Sequence, residues 1–357
     1  MTDKLSPLAQ MTQRGPTALW NDSATLTELE QSISFGAVGA TCNPVIALAA
    51  IRADLPKWTA RIAELGAAMP TASESQIGWK VVEEVSLEAA ELLEPAFERY
   101  HGYNGRLSMQ TDPRLARDAK ALADQAAYFS SLTKNIIVKV PATSVGVEAI
   151  EDASYRGVSI NVTVSFTVAQ AVATAEAIER GLRRREAEGL DTSTMGPVVT
   201  IMVGRLDDWL KAVYNKEKRC FDPGYLEWAG VAVVKKAYAE FNARGLRPRL
   251  LVAAYRNALQ WTEFVGGNLV LSPPFAWQQR FQASGIDPVD RMDIPVEARI
   301  VDTMYEQLPE FRRSYDVDGL TPAEFDSFGA TRRTLRQFLG ADEELDQLVR
   351  DVLIPAP

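Results

Sequence analysis

The chain is poor in several residue types, and each shortage excludes something. It has one histidine, His101, so no mechanism or metal site that needs two can be built from it, and His101 itself reads as structural or exposed. Its two cysteines, Cys42 and Cys220, lie far apart, which speaks against a disulfide framework and against a zinc site. No apolar run reaches the roughly 18 residues that a membrane span requires. No run rich in Lys and Arg occurs, and 38 Lys and Arg against 47 Asp and Glu give a formal charge of -9, so nucleic acid is not an expected partner. The opening MTDKLSPLAQ lacks the apolar core of a secretory signal, so a cytoplasmic location is expected. No Gly-rich dinucleotide fingerprint follows the first strand-like segment. No internal repeat or low-complexity linker divides the chain, which is therefore read as one domain over residues 1–357.

What is present is enough apolar material, 46% of 357 residues, to bury a large core. That size suits one large α/β barrel or two ordinary domains. Eight short β-type segments recur along the chain: 17–22 (TALWND), 38–42 (VGATC), 105–110 (GRLSMQ), 136–140 (IIVKV), 158–163 (VSINVT), 197–203 (PVVTIMV), 250–254 (LLVAA) and 268–272 (NLVLS). Between most of them the apolar residues recur at three- and four-residue spacing, as over 114–130 and 168–184, which predicts helices. Strand–helix alternation predicts a parallel sheet covered by helices, and eight units in roughly 250 residues is the usual size of a (β/α)8 barrel. The alternative is an open doubly wound sheet, which the missing dinucleotide fingerprint disfavours. Two segments exceed the pattern. Residues 47–103 read as a mostly helical insert, and the tail from about 275 to 357 as a helical extension packed on the barrel. Thr321-Pro322-Ala323-Glu324 in that tail carries a helix-start signature.

In such barrels the functional site forms at the C-terminal ends of the strands. Polar residues gather there. Asp22 ends the first segment, Asn43 follows the second, Gln110 ends the third and Lys139 lies in the fourth. Asn161 and Thr163, two apart, share one face of the fifth, and Thr200 and Met202 one face of the sixth. Arg205 follows the sixth, Arg256 the seventh, and Ser272 ends the eighth. Most have a bland alternative. Asp22 and Asn43 could be helix N-caps. Arg205 could pair with Asp207 or Asp208, Met202 could be core, and Ser272-Pro273-Pro274 could be a turn. Lys139 differs, because a lysine inside IIVKV either snorkels to water or is desolvated. Desolvation favours the neutral amine, a nucleophile able to form a Schiff base with a carbonyl substrate.

Taken together, these segments resemble the transaldolase family over about residues 17 to 274. GATCNPV resembles its second-strand motif, IIVKVPAT-x-x-G its Schiff-base lysine motif, and INVTVSF-x-x-AQA its fifth-strand signature. MVGR-x-x-DW and AAYRN resemble its two arginine segments. The resemblance implies a (β/α)8 fold and a mechanism free of cofactor and metal, acting on sugar phosphates. By matching position it implies that Lys139 forms the imine and that Asp22 is the acid/base at the C4 hydroxyl. Asn43 and Asn161 would hydrogen-bond the dihydroxyacetone portion, with Thr200 nearby. Thr163 would help hold a catalytic water, and Arg205 and Arg256 would grip the phosphate, or another anion such as a sulfonate. Three positions depart from the family pattern. Gln110 stands where most transaldolases carry glutamate, as it does in the related fructose-6-phosphate aldolases. Met202 stands where transaldolases usually carry phenylalanine and the aldolases use a water-holding tyrosine. Ala254 stands where relatives often have serine.

A glutamine can orient a water but cannot take its proton. The resemblance implies dihydroxyacetone transfer from a ketose phosphate to an aldose. The alternatives are an aldolase like those relatives, or a specialised enzyme making an unusual sugar. A reading of another class is a non-catalytic sugar-phosphate sensor, which would have no use for the retained Lys139, Asp22 and Thr163. The chain is expected to act as a monomer or homodimer.

Overall fold

Runs of β-branched and aliphatic residues, each cut off by a polar or turn residue, form eight short strands. The computed structural model describes residues 5–356. In it β1 (Ala18–Asn21), β2 (Ala37–Thr41), β3 (Arg106–Gln110), β4 (Ile136–Pro141), β5 (Ile160–Thr163), β6 (Val198–Met202), β7 (Arg249–Ala253) and β8 (Val270–Ser272) close into a barrel. Every pairing is parallel, and β8 returns to β1. This is the (β/α)8 barrel that the alternation of strands and helices predicts, not an open sheet.

Alternate residues of each strand point inward. Ala18, Trp20, Ile137, Val198, Leu251, Ala253 and Val270 fill the barrel interior as a cluster separate from the larger core between sheet and helices. Trp20 is completely buried, and it fits because β2 offers no side chain opposite it: a Cβ on Gly39 would lie 2.4 Å from Cε2 of the indole. This packed floor closes the barrel from below and leaves the polar strand ends at the other mouth.

Several boundaries differ from the sequence expectation. Val203 begins the helix Val203–Lys216 rather than ending β6. The helix expected over 114–130 runs only over Ala119–Ser130. Asp112 and Pro113 set a separate 3-10 turn, and Asp118 caps the helix proper by accepting the Ala121 N–H. Thr321 and Glu324 do form a reciprocal capping box, but it opens the 3-10 turn Pro322–Ser327, not an α-helix.

The extra segments are helical and meet each other. Pro44–Ala53, Leu55–Ala68 and Glu74–Arg99 lie between β2 and β3, and the long C-terminal helix Gly329–Leu353 packs against all three. Arg52–Glu344 (2.9 Å) and Arg350–Glu74 (3.0 Å) pair across this contact, and Gly78 leaves room for Leu345. The exposed His101 ends the insert in the left-handed region, with φ of 49°. No helix among the described residues is long and apolar enough to cross a membrane.

Candidate active site

Strand register brings the polar residues together. Gln110 stands opposite Lys139, and Lys139 opposite Asn161, across β3, β4 and β5. Thr163 lies one inward position further up β5. Lys139 is buried, with 5% of its surface exposed, and among the described residues its ammonium makes no ion pair and no hydrogen bond. Burial holds its amine below the ordinary lysine range, opposed by the charges of Asp22 and Cys42. Burial likewise raises the Asp22 carboxyl, opposed by Lys139, by the Thr41 hydrogen bond and by Arg205. Both groups are thus pushed toward their neutral forms.

Asp22 is not a helix cap. The N-cap of the following helix Leu26–Ser34 is Thr25, and the Asp22 carboxylate instead accepts the Thr41 hydroxyl. Because that hydroxyl spends its proton on the carboxylate, Ser272 Oγ, 3.2 Å from Thr41 Oγ1, is the donor to Thr41. Asn43 is a cap: its Oδ1 accepts the Ile46 N–H at 3.1 Å, which leaves its Nδ2 for a ligand. Asn161 is fully buried and held from both sides, donating to Ser108 Oγ at 2.9 Å and accepting from Thr200 Oγ1 at 2.7 Å. One Nδ2 hydrogen is left free by these bonds. Gln110 is buried with its Oε1 unpartnered, an open acceptor beside Lys139. Met202 is 6% exposed at the end of β6 and lies with the outer core.

The chain leaves β5 through Val164 at φ of 52°, a conformation that a β-branched residue rarely takes. Gln170, wholly buried, holds this turn. Its amide donates to the carbonyls of Ala142 (3.0 Å) and Val164 (3.2 Å), and its Oε1 accepts the Phe166 N–H.

Arg205 lies in the first turn of Val203–Lys216 and does not pair with Asp207 or Asp208. Its Nη1 donates to Thr334 (3.2 Å) and Gln337 (2.6 Å) of the C-terminal helix, and its guanidinium lies over the Phe338 ring. That leaves the Nε and Nη2 edge, the fork that matches a phosphate, without a partner among the described residues. Burial first, then the charge of Arg256 and a smaller push from Arg333, pulls its pKa down to about 10; Asp22 and Asp208 oppose them. Arg256 is half-exposed and already engaged. Nε and Nη2 bind Asp208 at 3.0 and 2.9 Å, and Nη1 donates to the main-chain oxygens of Ala254 and Tyr255.

Thr41 and Ser108 are not among the residues the sequence singles out, although each lies two residues before one that is and so on the same strand face. Thr334, Gln337 and Arg333 carry no such signal, because only the fold brings the C-terminal helix to Arg205. Cys42 and Cys220 are unpaired, and burial pushes the Cys42 thiol up to about 12. Among the described residues no cluster of three or more His, Cys, Asp or Glu side chains could hold a metal ion.

A family model described as Transaldolase/Fructose-6-phosphate aldolase matches residues 19–317. The chain belongs to that family. A transaldolase of Thiobacillus denitrificans is 31% identical over 256 residues, covering 65% of this chain and 70% of its own. One from Kocuria rhizophila is 34% identical over 172 residues, 48% of this chain and 46% of the relative. One from a Parafrankia species is 26% identical over 94% of this chain and 98% of its own length. The family match extends beyond the seventh and eighth strands into the helices that follow them, past the reach of the sequence motifs.

Proposed function

We propose that the protein is a transaldolase that moves a dihydroxyacetone unit from a ketose phosphate to an aldose phosphate through an imine at Lys139. The observation that carries this reading is a lysine buried inside the barrel mouth with no ion pair, beside a carboxyl that burial also drives toward neutrality. Such a lysine holds a larger share of its amine neutral at a given pH than a surface lysine does. The amine attacks the ketone carbon, and loss of water leaves an iminium. Asp22 takes the C4 hydroxyl proton, the C3–C4 bond breaks, and its electron pair flows into the iminium to give an enamine. The aldehyde leaves. The enamine then attacks the carbonyl of an acceptor aldose, Asp22 returns its proton to the new alkoxide, and water releases the product from Lys139.

Asn43 and Asn161 would hold the hydroxyls of the three-carbon unit, with the Thr200 hydroxyl donating to Asn161 Oδ1 and orienting its amide. Gln110, opposite Lys139, and Thr163, one inward position further up β5, would hold the water. Arg205 presents the free fork for the phosphate, with Arg256 beside it in a supporting role while Asp208 holds it. Sugar phosphates as substrates and the composition together favour action in the cytoplasm.

A second reading, an aldolase, follows from Gln110 itself, since the fructose-6-phosphate aldolases also carry glutamine at this position. The unpartnered Oε1 of Gln110 can accept a hydrogen bond from water but cannot remove its proton. Water that reaches the three-carbon imine before an acceptor does releases dihydroxyacetone and would make the enzyme an aldolase like its fructose-6-phosphate-cleaving relatives; water kept away until the acceptor has reacted favours transfer. Incubation with fructose 6-phosphate, with and without erythrose 4-phosphate, followed by borohydride and intact mass, separates the two. Sedoheptulose 7-phosphate formed only with acceptor, plus an adduct on the Lys139 peptide, supports transfer. Free dihydroxyacetone without acceptor supports the aldolase. No adduct with either mixture would overturn the imine mechanism and point to the sensor.

A further inference from the structure

Two residues beyond Arg205, Asp207 is wholly buried on the same helix. One of its oxygens accepts the Gly230 N–H at 2.8 Å, and the other accepts Nε2 of Gln260 at 2.6 Å. Gln260 is also wholly buried, and its Oε1 accepts the main-chain N–H of Arg256 at 2.5 Å. A Gln amide has one donor end and one acceptor end. With Asp207 facing the donor end, the acceptor end must face Arg256. Flipping the amide would set acceptor against acceptor and donor against donor. Burial pushes the Asp207 carboxyl well up, opposed by its N–H donors and the charge of Lys211. In either protonation state both its oxygens face donors.

The neighbouring elements tighten the same link. Asp208, the next residue, holds the Arg256 guanidinium. Gly204 lets the helix approach so closely that a Cβ there would lie 2.1 Å from the Ala254 oxygen and 2.5 Å from Arg256 Cγ. The chain leaves β7 through Ala254 at φ of 64°, and this turn is what the link restrains. The first turns of a single helix therefore carry one arginine and fix the main chain of the other.

We propose that Asp207 is a positioning residue for Arg256: acting through Gln260, it sets where the second guanidinium stands relative to Arg205 and so tunes affinity for the phosphate end of the substrate. This rests on the reading of Arg205 and Arg256 as the phosphate site.

The test uses the full chain with Gln260→Met, Asp207→Asn, the double variant Asp207→Asn with Gln260→Glu, and Arg256→Met as reference. Two readouts are compared: KM and kcat for fructose 6-phosphate, and borohydride trapping of dihydroxyacetone, which reaches Lys139 without a phosphate. Gln260→Met is expected to raise KM about tenfold, the value of one buried hydrogen bond, with kcat and trapping within about twofold. The double variant should return KM toward the parent. Its new carboxylate can accept from the Arg256 N–H, while its new amide donates to that carboxylate and still accepts from Gly230. An unchanged KM in Gln260→Met, an equal fall in trapping, or no recovery in the double variant overturns the proposal. If Asp207→Asn does not fold, Gln260→Met alone decides. If Arg256→Met leaves KM unchanged, the phosphate reading itself has failed. If the parent protein traps no dihydroxyacetone, the imine reading has failed.

Discussion

Lys139→Met removes an amine that burial holds below the lysine range, next to a carboxyl that burial holds above the carboxylate range. The two groups act on stability with opposite slopes. An unfolded lysine titrates near about 10.4, so between the folded value and that one the unfolded chain binds the extra proton, and stability rises with pH. Below that window the whole cost of burying the ammonium is present. For Asp22 the folded chain holds its proton longer. Its contribution is fully present below about pH 3.9 and is lost as pH rises through the folded value. At neutral pH the cost of the buried amine is therefore in force, and methionine, of similar volume and uncharged, removes it. Replacing a whole buried ion pair by well-packed apolar groups stabilises by up to about 1–4 kcal/mol, and among the described residues Lys139 makes no ion pair to offset its burial. Asp22 loses an attractive partner in the exchange, but it is only partly buried and keeps Arg205 nearby, so the net gain at pH 7 is expected at about 1–2 kcal/mol. The gain should shrink as pH rises toward 10 and the parent protein gives up that proton. Urea midpoints of both proteins across pH 6 to 10 measure this, with borohydride trapping run alongside. A variant less stable at pH 7, or a gain that ignores pH, refutes the desolvated lysine. An adduct that persists without Lys139 moves the nucleophile elsewhere.

Three further changes test the surroundings. Gln110→Glu adds a base where the amide can only orient water, and general bases contribute on the order of 10²–10⁴ in rate, so the transfer rate in steady-state assays should rise at least about tenfold; no gain means the site is built around the amide. Arg205→Leu removes the free guanidinium fork, and losing two charge-assisted hydrogen bonds of about 1.5 kcal/mol each should raise KM for fructose 6-phosphate roughly 100-fold while dihydroxyacetone trapping stays near normal. Gly39→Ala forces a methyl to 2.4 Å from the Trp20 ring and should cost about 1–3 kcal/mol in a denaturation midpoint, recovered when Trp20→Leu is added.

What can be read from the sequence follows the range of the forces involved. Strands and helices declare themselves through side-chain periodicity, and a lysine inside IIVKV is visible because it breaks an apolar run. Asp22 is ambiguous in the sequence because the helical stretch reads as beginning directly after it, which would make it a cap; only the fold shows the helix starting at Leu26 with Thr25 in that place and Thr41 taking the carboxylate. Asn43 is ambiguous for the same reason, and there the cap is real. The arginines expose the limit most clearly. Arg205 next to two aspartates suggests a local pair, yet its partners lie 129 and 132 residues away on the C-terminal helix. The two aspartates serve residue 256 instead, one through its side chain and one through its main chain. Charge spacing along a chain cannot say which of two arginines an aspartate will choose, because that choice is made by the depth of burial and by which helix the barrel brings alongside. Since the helix that engages Arg205, Gly329–Leu353, lies beyond the matched residues 19–317, the geometry of the proposed anion site depends on residues outside the motifs by which the family is recognised.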